Sequence, residues 1–153
     1  MPAHAFACDA MLGTLARWLR FAGFDTVYEP GLGDEQLAAR CRSEERWLLT
    51  RDRELASRAG PRVMLLRETA LDAQVAELRR RLDLAAAKPF SRCPCCNGEL
   101  RESRREEIEA LVPPYVAAHA QSFRRCQACG KVYWPGTHTP RIASRLERLL
   151  RAQ

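Results

Sequence analysis

An α/β fold, a mainly parallel sheet flanked by helices with a small cysteine-rich module after it, is the architecture this sequence predicts. Short apolar runs alternate with amphipathic stretches as far as residue 88, the pattern of βαβ units. Acidic residues recur just after those apolar runs, at Asp9, Asp34 and Asp52. Five of the seven cysteines fall after residue 88, four of them in two C-x-x-C pairs. At 46% hydrophobic and 29% charged the chain has globular composition, which argues against disorder. No apolar run approaches the ~18 residues of a membrane span, and no basic stretch leads into an apolar segment at the N-terminus. A protein of the cytoplasm is therefore expected.

The elements follow in order. His4 to Cys8 is an apolar run ending at Asp9, a buried strand with a carboxylate at its C-terminal end. Leu12, Leu15, Ala16, Leu19 and Ala22 have helical spacing, and Gly23 supplies the stop. Asp25 to Tyr28 is a second strand, with Pro30, Gly31 and Gly33 as the loop after it. Asp34 is placed to cap a helix reaching about Cys41. Arg46 to Thr50 is a third strand, and Thr50 is expected to cap the helix carrying Asp52, Glu54 and Leu55. Arg62 to Leu66 is a fourth strand, and Leu71 to about Leu84 an amphipathic helix with Leu71, Val75, Leu78 and Leu82 on one stripe. Thr139 to Leu150 forms a terminal amphipathic helix whose arginines make a solvated face.

In an open α/β sheet the ligand crevice lies beyond the carboxyl ends of the strands. Asp9, the Asp34-Glu35 pair and Asp52 would converge there. Clustered carboxylates offer hard oxygen ligands to Mg²⁺ or Mn²⁺, and such ions activate water against a phosphodiester. The plainer alternative is helix capping, since Asp34 and Asp52 lie where first-turn acids belong. Asp9, which follows its strand directly, is harder to explain in that way.

The second module is read as a zinc site. Cys93 and Cys96, then Cys126 and Cys129, form two knuckles with 29 residues between them. Four thiolates at this spacing satisfy tetrahedral Zn²⁺ and leave no open position, so the zinc is structural. Cys95 is a spare thiol, and His119 is the one nearby residue able to stand in for a cysteine. Residues 1–88 carry 14 basic and 13 acidic side chains, and residues 89–153 carry 11 and 6. The boundary between modules thus falls at Lys88-Pro89. Of the 25 basic residues 23 are arginine, which suits a polyanionic partner, although a genomic base bias gives the same ratio. Arg124, Arg125 and their neighbours are interleaved with Phe123, Tyr133 and Trp134. Such mixtures grip phosphates and stack unpaired bases, or the aromatics simply pack the ribbon.

Several of these residues sit in longer motifs: Asp9-x-Met-Leu-Gly-x-Leu-Ala-Arg-Trp-Leu-Arg20, Gly23-Phe-Asp25, Leu49-Thr-Arg-Asp-Arg-Glu-Leu55, Arg92-Cys-Pro-x-Cys96-Asn97 and Cys129-Gly-Lys-Val-Tyr-Trp-Pro-Gly136. Together they resemble the Mut-seven C-terminal RNase domain family over nearly the whole chain. The chain differs from the usual pattern at Cys95, at Thr137-His138 and at Glu35-Gln36, where the family is often more acidic. The resemblance implies a PIN-like nuclease unit (residues 1–88) fused to a zinc ribbon (residues 89–153). It places the family's strand-end acids on Asp9, Asp34 and Asp52. The expected activity is metal-dependent endoribonuclease cleavage, with Arg17, Arg20, Arg51 and Arg53 on the phosphates and Arg124 and Arg125 helping to seat RNA, tRNA or another structured RNA included. The competing expectations are a non-catalytic RNA-binding module and a toxin-like nuclease with a protein partner.

Overall fold

The computed structural model describes residues 3–151. A four-stranded, all-parallel sheet is built from β1 (Phe6–Cys8), β2 (Thr26–Val27), β3 (Trp47–Thr50) and β4 (Val63–Leu65), in the order β2-β1-β3-β4. Alternate residues along each strand go to opposite faces, and both faces are covered. Phe6 and Cys8 of β1, Leu49 of β3 and Met64 of β4 join one core with α1 (Gly13–Phe21) and α4 (Leu71–Arg81). Ala7 and Leu48 join the other, with α2 (Asp34–Ser43) and α3 (Arg53–Arg58). Strands covered on both faces read as continuous apolar runs, which is why they were legible.

A second, antiparallel sheet follows in the order β5-β6-β7: β5 (Leu100–Ser103), β6 (Phe123–Cys126) and β7 (Val132–Tyr133). Between β5 and β6 the chain makes two short helices, α5 (Arg105–Ile108) and α6 (Pro114–His119). Ile108 and Val112 pack there on Phe123 in a small core of their own. Phe123 is therefore buried and is no base-stacking surface.

Three sequence expectations change. The helix after β4 ends at Arg81, because the chain turns extended at Leu82 and buries Leu82 and Leu84 in the first core. Asp52, not Thr50, caps α3, accepting from the amides of Glu54 and Leu55. Gly33 occupies the N-cap position of α2, which puts Asp34 in its first turn. The final helix, α7 (Thr139–Leu150), follows the ribbon in sequence but packs on the α/β unit. Its Leu146 and Leu149 enter the first core, and Arg145 lies 4.9 Å from the ring centre of Trp18 and pairs with Asp72.

Arg20 and Asn97 fasten the two units together. Arg20 Nε donates to the Thr26 carbonyl at 2.9 Å, and Nη1 donates to the carbonyls of Pro94 and Cys95 at 3.2 and 3.3 Å. Asn97 accepts from the Thr26 amide at 2.8 Å and donates to Asp25 at 2.7 Å, and Asp25 in turn accepts from Arg46 through both oxygens. Arg20 is buried and spent on this junction, so the expectation of a phosphate contact there is corrected. Its spacing from Arg17 suggested a shared face, but a three-residue step rotates it toward the core.

Gly23 lets the linker close on α1. It sits at φ +92°, and a Cβ there would lie 2.1 Å from the Lys88 carbonyl oxygen and 2.6 Å from Ser91 Oγ. Gly23→Ala should destabilise the fold by more than the ~1–2 kcal/mol that a left-handed backbone alone costs. Gly31→Ala, which meets open space, should leave the thermal midpoint nearly unchanged in the same melt. A small effect at both positions would contradict the close approach.

Candidate active site and metal centre

The chain leaves β1 into α1 on one face of the sheet and leaves the adjacent β3 into α3 on the opposite face. Divergence of this kind marks the switch point of an open α/β sheet, the position where such sheets carry their ligand crevice. Asp9 and the Thr50-Arg51-Asp52 turn occupy it.

Asp9 is 8% exposed. Its Oδ1 accepts from the Ala10 amide at 2.8 Å, and its Oδ2 accepts from Thr50 Oγ1 at 2.7 Å. The Thr50 hydroxyl also accepts from the Asp52 amide at 2.9 Å. One threonine thus ties the β1 acid to the β3 acid, a link that sequence reasoning took for a helix cap. Its signal was available: a threonine ending a buried strand, two residues before an aspartate. Asp52 is half-buried, with Oδ1 engaged in capping. Asp34 follows β2 at the same edge, exposed in the first turn of α2. Among the described residues none of the three aspartates has an ion-pair partner, whereas Glu35 lies 3.8 Å from Arg58. The three carboxylates are not gathered into one tight group of metal ligands; among the described residues the cysteines alone are.

Arg51 and Arg53 are exposed on either side of Asp52, and Arg17 is exposed on α1. Among the described residues they make no hydrogen bond or ion pair, and Arg17 lies over the Phe21 ring. Arg124 and Arg125 are half-buried: Arg124 donates to the Phe90 carbonyl and Arg125 to the Gly130 carbonyl.

Cys93, Cys96, Cys126 and Cys129 bring their sulfurs within 4.8 Å of one another. Sulfurs around a tetrahedral zinc with ~2.3 Å bonds lie about 3.8 Å apart. Cys93 and Cys129 are 3.9 Å apart, and Cys96 and Cys126 3.4 Å. The set fits one tetrahedral ion. Burial pushes the Cys126 thiol up, but the amides of Cys129 and Ala128, together with the Cys96 and Cys129 thiols, outweigh it and hold the group at about 7, which favours the thiolate a metal needs. At Gly98 a Cβ would stand 2.7 Å from Cys126 Sγ, so only glycine lets the backbone pass this close. Tyr133 Oη is 3.0 Å from Cys93 Sγ, a contact to the ligand set that spacing alone did not reveal. Cys95 is exposed beside Lys131 and outside the cluster, as is His119, which bonds the Tyr115 carbonyl.

Among the described residues no helix is long and apolar enough to cross a membrane. Searches of curated proteins and of solved structures return no match. The sequence profile of one family, described as the Mut7-C RNAse domain, does match, and it spans residues 4–146. That span takes in the strand-end acids, both cysteine knuckles and most of α7. The chain belongs to the Mut7-C RNAse domain family.

Proposed function

We propose that the protein is a metal-dependent endoribonuclease: a PIN-like α/β unit hydrolyses RNA phosphodiester bonds at the β1/β3 crevice, and a zinc ribbon helps to seat the RNA. The observation that carries the reading is Asp9. A carboxylate this buried normally has a cationic partner, yet among the described residues Asp9 is held by an amide and a hydroxyl and by no cation. A divalent cation would complete it. Thr50 fixes the orientation of that carboxylate and holds Asp52 beside it, while Asp34 contributes from α2. These acids would hold Mg²⁺ or Mn²⁺, which would activate a water against the phosphodiester and offset charge on the leaving oxygen. The guanidiniums of Arg51 and Arg53, without a partner among the described residues, suit bidentate contact with phosphates beside the acids, and Arg17 on α1 suits one further along the strand. The four-cysteine site has no open position and is structural, and unoxidised thiolate ligands suit a reducing cytoplasm.

The test is cleavage of structured and single-stranded RNAs by the zinc-loaded protein. Cleavage should require added Mn²⁺ or Mg²⁺. A second reading has its own support: Asp52 is fully explained as the α3 cap, and the acids form no tight ligand group. On that reading the protein binds RNA without cutting it. RNA that is bound with the same affinity with and without Mn²⁺, and never cut, would favour this alternative.

A further inference from the structure

A cleft of about 240 Å³ opens where the α/β unit, the ribbon and α7 meet. Four aromatic side chains, Phe21, Phe90, Tyr133 and Trp134, line it together with Arg92 and Arg124, and no acidic side chain does. Trp134 is 36% exposed, one of the few large apolar side chains left open to water. Phe21 and Phe90 pack against the first core and Tyr133 contacts Cys93, so Trp134 is the face of this wall left open to a ligand.

Aromatic walls alone would suit any flat apolar ligand. The two guanidiniums select an anionic one. Each is anchored at Nη1, Arg92 on the Asn97 carbonyl and Arg124 on the Phe90 carbonyl. The rest of each fork has no partner among the described residues. An arginine anchored in this way is preorganised for phosphate. A planar aromatic group joined to a phosphate is a nucleotide. Bases offer their faces to aromatic side chains only when unpaired, and the volume falls short of ordinary ligand pockets of ~300–1,000 Å³, which limits the cleft to one base.

We infer that this cleft is a subsite for a single unpaired nucleobase of the RNA, stacked on Trp134, with its phosphate on Arg92 and Arg124. The inference rests on RNA being the ligand, cut or only bound. Helix α1 links the two places: its N-terminus follows the Asp9 turn, and Phe21 at its C-terminus lines the cleft. Nine residues at 1.5 Å each put roughly 13 Å between them, so the stacked base lies a few nucleotides from the scissile phosphate. The Tyr133 hydroxyl contact to Cys93 fixes one wall of the subsite to the zinc centre.

The experiment measures binding to the full chain, zinc-loaded and with no added Mg²⁺ or Mn²⁺, by fluorescence anisotropy of end-labelled probes. The probes are a tetra-adenylate and an abasic ribose-phosphate tetramer of equal charge. The tetra-adenylate should bind about tenfold more tightly, the scale of one base–aromatic stack. Trp134→Ala should abolish that preference, and Trp134→Phe should keep most of it, with zinc content and thermal midpoint unchanged in both. Equal affinity for the two probes, or a preference that survives Trp134→Ala, overturns the subsite. Cleavage by Trp134→Ala with unaltered KM likewise removes the subsite and leaves the nuclease reading standing. Base-dependent binding without cleavage of any RNA supports the subsite and removes the nuclease reading.

Discussion

Cys126→Ser should strip the zinc, unfold the ribbon and also lower the melting midpoint of the α/β unit. Structural zinc is coupled to folding in small modules, so loss within the ribbon is the expected part. The effect on the sheet follows from the junction. Arg20, buried, donates to the carbonyls of Pro94 and Cys95 inside the first knuckle, and Asn97 completes the Thr26 amide at the edge of β2. When the knuckle melts, these groups lose their partners. Hydrogen bonds to a charged group contribute about 1.5–3 kcal/mol each, and each kcal/mol moves the midpoint of a domain this size by roughly 2–4 °C. Two such bonds from Arg20 set an expected fall of roughly 6 °C or more, read by circular dichroism against metal content. A chelator should reproduce it. Loss of zinc with an unchanged α/β melt would contradict the coupling.

Asp9→Asn should reduce Mn²⁺-dependent RNA cleavage by about 100-fold or more, the scale on which removal of one charge-stabilising group acts. The substitution keeps size but removes the charge. It also puts a donor opposite the Thr50 hydroxyl, which already accepts from the Asp52 amide. A stability cost near 1 kcal/mol accompanies that rearrangement, too small to unfold the protein. Asp52→Asn separates chemistry from capping more cleanly. Asparagine caps helices about as well as aspartate, so α3 should be untouched while cleavage falls. If activity in all three proteins is equal, it belongs to a contaminating nuclease.

The layered α/β unit was readable because β1, β3 and β4 are mostly apolar runs and α1 and α4 are long enough to show a period. The zinc ligands were readable because tetrahedral thiolate chemistry dictates their spacing. What was hidden depends on partners distant in sequence. An amphipathic pattern shows that α7 has an apolar face, not that the face lies on α4 and α1 rather than on the ribbon. Arg20 has no local mark distinguishing it from Arg17; only the folded knuckle gives it carbonyls to bind. Helices α5 and α6 are four and six residues long, too short for a period to emerge. Thr50 looked like a cap because the residue that actually caps, Asp52, stands two positions later.

Asp9 and its neighbours are expected to hold a hard divalent cation. Titration of the zinc-loaded protein with Mn²⁺, followed by electron paramagnetic resonance of the free ion, tests it without any choice of RNA. Saturable Mn²⁺ binding in the wild type that is lost in Asp9→Asn and weakened in Asp52→Asn is the predicted result. Mn²⁺ binding that is absent from the wild type, or identical in all three proteins, would contradict it.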